Sequence, residues 1–273
     1  MNKVFSEMRG EIAILISAVL MGTLPYFIKS LNLSPFSATF FRFFVGLVFL
    51  SIFMAVKKEK PVFSKQLFFL GVFSTGTIFF YITAITHLAA ATAALLLYMA
   101  PVYVMIFAML KEGSVSRMSI LSLILGISGL YLLLSPEKEI SIGLISGFIS
   151  GLFYAGAFIM LNRLGKIYSP MRITFSNLLV GVALLLPFFK FEFGDLALTL
   201  GLGLIPTAIP FTLLSYGMGR VKMEKGPVIA LAEPVTAGVV GFAVFNEVLS
   251  SIQLVGAILV LSAVFLALYE ESE

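Results

Sequence analysis

No cysteine occurs in the 273 residues, and histidine occurs once, at His87. The first absence excludes a disulfide framework, a thiolate metal site and a cysteine nucleophile; the second excludes a histidine cluster for haem or zinc. Charge is scarce too. Charged residues make up 12% of the chain, against about a quarter of a soluble domain, while 60% of residues are hydrophobic and the mean hydropathy is +1.08. No Gly-Lys phosphate-binding motif is present, so nucleotide is not expected to drive the protein. The net charge of +4 does not imply nucleic acid, because the basic residues lie in short loops and not in a stripe interleaved with aromatics. What these absences leave is an integral membrane protein, with no metal and no cofactor expected and the lipid bilayer as its surroundings.

Long apolar runs are abundant. Segments able to cross about 30 Å of hydrocarbon at about 1.5 Å per residue fall near Gly10 to Lys29, Pro35 to Val56, Lys65 to Ile85, Ala90 to Leu110 and Arg117 to Leu134. A second set falls near Ser141 to Asn162, Pro170 to Phe189, Asp195 to Met218, Pro227 to Phe245 and Ile252 to Tyr269. Ten spans leave no room for a soluble domain. Lys3 and Arg9 precede the first run as in a secretory signal, but no small-residue cleavage site follows Ile28, so the run reads as a retained span.

With the N-terminus inside, 14 of the 18 basic residues fall in inner loops, Lys58 and Lys222 among them. Three, Lys29, Lys138 and Lys190, fall outside, and Arg42 lies within the second span. The positive-inside rule therefore places both termini in the cytoplasm of a multi-pass plasma-membrane protein.

The stretch Tyr98-Met-Ala-Pro101-Val-Tyr-Val-Met-Ile-Phe-Ala-Met-Leu-Lys-Glu112 has a counterpart in Leu231-Ala-Glu-Pro234-Val-Thr-Ala-Gly-Val-Val-Gly-Phe-Ala-Val-Phe-Asn-Glu247. In each, a proline interrupts an apolar run that a glutamate closes. Pro101 and Pro234 are expected helix breaks, tolerated in a membrane bundle where neighbours satisfy the freed backbone groups or the break lines a cavity. Ser34 to Leu50 also lies over Ser169 to Leu185 with seven of 17 positions identical. Each half has five spans, an odd number, so the second copy enters the membrane from the opposite side. The expected fold is an all-α membrane protein of ten transmembrane helices in two inverted five-helix repeats, residues 1–137 and 138–273. Such repeats place a substrate site near the midplane where they meet; the plainer reading is a duplication that serves packing alone.

Several residues carry both a functional and a structural reading. Gly143, Gly147, Gly151 and Ala155 recur every fourth residue and predict close helix packing in the sixth span, not ligand chemistry. Gly126-Ile-Ser-Gly129 matches a rhomboid-type serine motif with His87 as an imaginable base, but the order and the oxyanion donors of such a site are missing, so no catalytic residue is assigned. Arg42, roughly 10 Å inside the second span at 1.5 Å per residue, is expected to snorkel to the outer interface. Glu233, similarly deep and beside Pro234, is either a proton or cation site or a structural partner of a basic residue at a helix end such as Arg220 or Lys222. Thr23, Tyr26, Thr77, Tyr81, Tyr98, Tyr154, Ser215 and Tyr216 supply the few hydroxyls within apolar spans. With Glu233 they are the candidates to line a substrate cavity.

At these residues the chain resembles the EamA family of the drug/metabolite transporter superfamily. The resemblance rests on Leu95-Leu-Leu-Tyr-Met-Ala-Pro101-Val-Tyr-Val ending at Lys111-Glu112, on Glu233-Pro234-Val ending at Asn246-Glu247, on Gln253-Leu-Val-Gly256, and on Ser34-Pro35 with Phe41-Arg42. Met21-Gly22 stands where members often have Trp-Gly. The resemblance implies ten helices around a cavity bordered by helices 1, 3, 4, 6, 8 and 9, and export of small metabolites such as amino acids. On that basis the chain is expected to be a secondary transporter working by alternating access, with proton coupling through Glu233 as one possibility and no enzymatic step. A sugar-nucleotide or lipid-linked carrier is the alternative within transport, and an intramembrane hydrolase the alternative outside it. The oligomeric state stays open.

Overall fold

The structure, a computed structural model, describes residues 2–31, 33–85, 87, 90–113, 115–134, 142–190, 194–246, 248 and 250–269. Lys138, Glu247 and the boundary at 137/138 lie outside the described residues. Among those described, all regular structure is helical. Ten stretches are long and apolar enough to cross a membrane: Phe5–Leu31, Phe36–Val56, Lys65–Ala84, Ala93–Lys111, Arg117–Leu134, Ile142–Leu164, Pro170–Phe188, Leu196–Met218, Lys225–Phe245 and Ser251–Tyr269. They are called spans 1 to 10 here.

Equivalent spans begin and end by the same local chemistry. Spans 2 and 7 each start with an extended serine, Ser34 or Ser169, followed by a proline at the first helical position, where its missing N–H is not needed. Spans 4 and 9 each end on a left-handed residue, Gly113 (φ 78°) and Asn246 (φ 55°), which frees the chain from the helix at low cost. Those caps are 133 residues apart, the separation of Pro101 from Pro234.

Packing repeats this symmetry. A Cβ on Gly129 of span 5 would stand 2.8 Å from the Gly256 carbonyl of span 10, and one on Gly256 would stand 2.6 Å from the Gly129 carbonyl. Likewise Phe43 of span 2 covers Gly181 of span 7, while Leu178 of span 7 covers Gly46 of span 2. Each large residue precedes the glycine on its own helix by three positions. Contacts that exchange partners in this way, between helices running in opposite directions, are what a two-fold axis in the membrane plane produces. Because lipid exerts no hydrophobic pull between helices, such close backbone approach carries much of the packing.

Four spans are interrupted, two of them as expected. Span 4 is helical over Ala90–Leu97 and again over Ala100–Glu112, and span 9 over Lys225–Ile229 and Ala232–Phe245. Pro101 and Pro234 therefore sit in the first turn of each second segment, and the chain opens just ahead of them. Two further interruptions depart from the continuous helices expected. Span 1 breaks between Met21 and Leu24, and span 8 contains a π-helical turn over Leu204–Ala208.

The glycine row of span 6 packs as expected. Gly147 and Gly151 face Leu96 at the break of span 4, and a Cβ on Gly151 would stand 2.5 Å from the Leu96 carbonyl and 3.0 Å from Tyr103 Cε2. At Gly147 the nearest atom is instead the end of the Leu96 side chain, which can rotate away. Gly151→Ala is therefore expected to cost about 1–3 kcal/mol by overpacking against rigid backbone, and Gly147→Ala less. Melting temperatures of the two variants in detergent check the order.

Candidate functional site

The breaks of spans 1, 4 and 9 and the π turn of span 8 surround one region of the bundle. Gly22, at the break of span 1, lies directly against span 9: a Cβ there would stand 2.8 Å from the Glu233 carbonyl and 2.5 Å from Thr236 Cβ. Pro234 has no N–H to offer Ala230, whose carbonyl accepts from the Glu233 N–H at 3.0 Å instead. This tightened turn ends one helical segment and leads into the next at Glu233.

The Tyr98 hydroxyl, from the break of span 4, donates to the Glu233 carboxylate and so joins the two broken helices across the repeat interface. Tyr81 of span 3 and Tyr154 of span 6 lie within electrostatic reach of the same carboxylate. Tyr154 packs on Phe158 at 4.7 Å between ring centroids. All four residues sit deep in the bundle yet keep some accessible surface.

Arg42 corrects the expectation of snorkelling. Its side chain turns inward and is 8% exposed, and the reason lies in two prolines of span 8. Pro206 lacks the N–H that would serve the Leu202 carbonyl, and Pro210 lacks the one that would serve Pro206. The Thr207 hydroxyl fills the first vacancy, donating to Leu202 O at 2.8 Å. Arg42 fills the second: its Nη2 donates to Pro206 O at 3.2 Å and its Nε to Thr207 Oγ1 at 3.1 Å. The guanidinium also stacks between Phe43 and Phe211, 5.8 and 5.6 Å from the ring centroids. A buried cation there satisfies a carbonyl that the helix cannot, an attraction the outer interface does not offer.

Arg42 is also the cation whose charge acts on Glu233. Neither helix-end residue named as its partner takes that role; Arg220 instead lies over the Tyr216 ring at 3.6 Å and donates to the Tyr216 carbonyl. Among the described residues no ion pair joins Arg42 to Glu233, and Arg42 Nη1 takes no protein acceptor. The centre thus holds one cation from the first repeat and one anion from the second, separated, with three tyrosines around them.

The other expected residues are engaged elsewhere. Thr23 donates to Leu20 O at 2.7 Å and caps the break of span 1. Tyr26 packs edge-on to Phe27, and Thr77 is spent on Phe73 O at 2.8 Å. Ser215 lies between spans 7 and 8, bonded to Phe211 O and 3.3 Å from Thr174 Oγ1. His87 is exposed with Nδ1 at Thr83 O, and Ser128 also faces outward. Two apolar clefts, about 230 Å³ beside Phe79, Phe153 and Phe188 and about 770 Å³ beside Phe63, Phe68 and Phe69, include none of the nine candidate residues. The second opens beside exposed phenylalanines at the Lys65 end of span 3. Arg42 is the central residue that sequence reasoning missed; the signal was Pro206-Thr-Ala-Ile-Pro210.

Ten spans in two exchanged halves, with broken helices converging on an isolated charge pair, define a membrane transport protein. The sequence pattern of the EamA-like transporter family matches residues 8–135 and again 141–269, and the chain belongs to that family. An uncharacterized transporter of Archaeoglobus fulgidus is 44% identical over 260 residues, which cover 94% of this chain and 96% of that protein. A protein of known crystal structure, 17% identical, has the same fold with a TM-score of 0.82 over 94% of this chain and 97% of its own.

Proposed function

We propose that the chain is a secondary transporter that exports small zwitterionic metabolites, amino acids or close relatives, by alternating access through the centre between the repeats. The observation that carries this reading is the separated pair of Arg42 and Glu233. A zwitterion bridges them, its carboxylate on Arg42 Nη1 and its ammonium on Glu233, while Tyr81, Tyr98 and Tyr154 wall in its side chain. An ammonium displaces a proton from Glu233 or the reverse, so a proton gradient is read at the same carboxylate. The ligand leaves unchanged, since among the described residues no nucleophile and base converge on it. The charge distribution of the loops supports both termini in the cytoplasm of the plasma membrane.

A sugar-nucleotide carrier is disfavoured by the same pair, because a diphosphate would meet the Glu233 carboxylate and find Arg42 as the one central cation among the described residues. Thermal shift and calorimetry with an amino acid, its N-acetyl derivative and its methyl ester test the reading. Each blocked derivative lacks one charged contact, so each is expected to bind at least about tenfold more weakly, a contact to a charged group contributing about 1.5–3 kcal/mol. Equal binding of all three, or preferential binding of a nucleotide-sugar, refutes it.

A further inference from the structure

Lys225 opens span 9, where a lysine ordinarily reaches interfacial water, yet it is 2% exposed. Its Nζ is ion-paired with Glu11 Oε1 and lies 3.8 Å from Glu7 Oε1. Glu7 and Glu11 are four residues apart on span 1, hence on one face, and both are buried, as is Glu224. The charge count of the loops treated Lys225 as a topology signal; its surroundings are those of a core residue.

The ion pair closes one end of the molecule. Every residue from Met223 to Ala232 is buried, whereas beyond Glu233 span 9 is mostly accessible. Spans 1 and 8 cross tightly beside the pair, a Cβ on Gly10 standing 2.8 Å from Arg220 Cβ and 3.2 Å from the Gly217 carbonyl. Asn162 of span 6 donates to the carbonyls of Met218 and Val221 at 2.7 and 2.9 Å and secures the end of span 8. Span 1 belongs to the first repeat and spans 8 and 9 to the second. The Lys225 contacts therefore cross the surface that must part if the centre is to open toward the face carrying the N-terminus.

We propose that Lys225 with Glu7 and Glu11 forms the gate that closes the N-terminal face, and that the centre opens to this side only when those ion pairs separate. An ion pair suits this task. Its desolvation cost offsets much of its attraction while buried, and both partners regain hydration when apart, so closed and open states lie near each other in free energy. A purely apolar seal would favour the closed state more one-sidedly.

The proposal rests on the transport reading but its test needs no ligand, so the two can fail separately. The chain has no native cysteine, and single cysteines at Ala230, inside the sealed run, and at Val240, beyond Glu233, report opening to either face. With a membrane-impermeant maleimide applied from the N-terminal side, Lys225→Met is expected to raise labelling at 230 by about tenfold, as a shift of the open population. Labelling at 240 from the opposite side is expected to fall. Glu7→Met/Glu11→Met/Lys225→Met, which replaces all three charges by apolar contact, returns labelling at 230 to the wild-type level or below. General loosening would raise labelling at both positions and refutes the gate, as does unchanged labelling at 230 in the single variant. If Lys225→Met does not fold, the triple variant decides: faster labelling at 230 than in wild type overturns the proposal.

Discussion

Arg42→Met is expected to melt several degrees below the wild type and to lose measurable binding of a zwitterion. The substitution strands the Pro206 carbonyl, which Pro210 cannot serve, and removes a donor to Thr207. A buried acceptor left without its charged donor costs about 1.5–3 kcal/mol, and the ligand carboxylate loses its cation as well. Arg42→Lys separates the two consequences. A lysine keeps the charge, but its compact ammonium cannot reproduce the planar fork that holds Pro206, Thr207 and a carboxylate together. Stability in Arg42→Lys is expected to recover in part, while affinity stays at least about tenfold below wild type, equivalent to 1.4 kcal/mol. Melting curves and calorimetry on both variants check this; full affinity in Arg42→Lys would show that the guanidinium serves span 8 alone.

Glu233→Gln is expected to fold with a melting temperature close to that of the wild type, because the amide oxygen still accepts from Tyr98. Affinity for a zwitterion falls about 10- to 150-fold, the loss of one charged contact of about 1.5–3 kcal/mol. Flux in reconstituted vesicles loses its dependence on a pH gradient, since a glutamine holds no exchangeable proton. Gradient-driven flux that persists in the glutamine variant removes the coupling role while leaving the ammonium contact to be judged by affinity. A marked fall in melting temperature that shrinks when the change is made on an Arg42→Met background would instead make Glu233 a structural counter-charge.

The apolar runs, the matching segments and the odd number of spans per half specified the bundle and its exchanged halves before any contact was known. That much is legible because the bilayer sets a length and polarity that each span must meet independently of its neighbours. Pro101 and Pro234 announced their breaks for a similarly local reason, a missing N–H. The break at Gly22 carries a weaker signal, since glycine and threonine are compatible with a continuous membrane helix; there Thr23 caps Leu20 O and Gly22 lies against the Glu233 backbone of a distant segment.

The sequence by itself determined the membrane class, the ten spans and the repeat, each legible from single segments and their surrounding medium. Only the tertiary structure decided which polar groups meet. Arg42 had two physically reasonable destinations, the outer interface and the interior, and the carbonyl left vacant by Pro210 on a helix 164 residues away drew it inward. Lys225 likewise counted as a loop charge until two glutamates from the opposite end of the chain enclosed it. Partner choice for a buried charge depends on where other helices place their unsatisfied groups, a long-range property that no single segment contains.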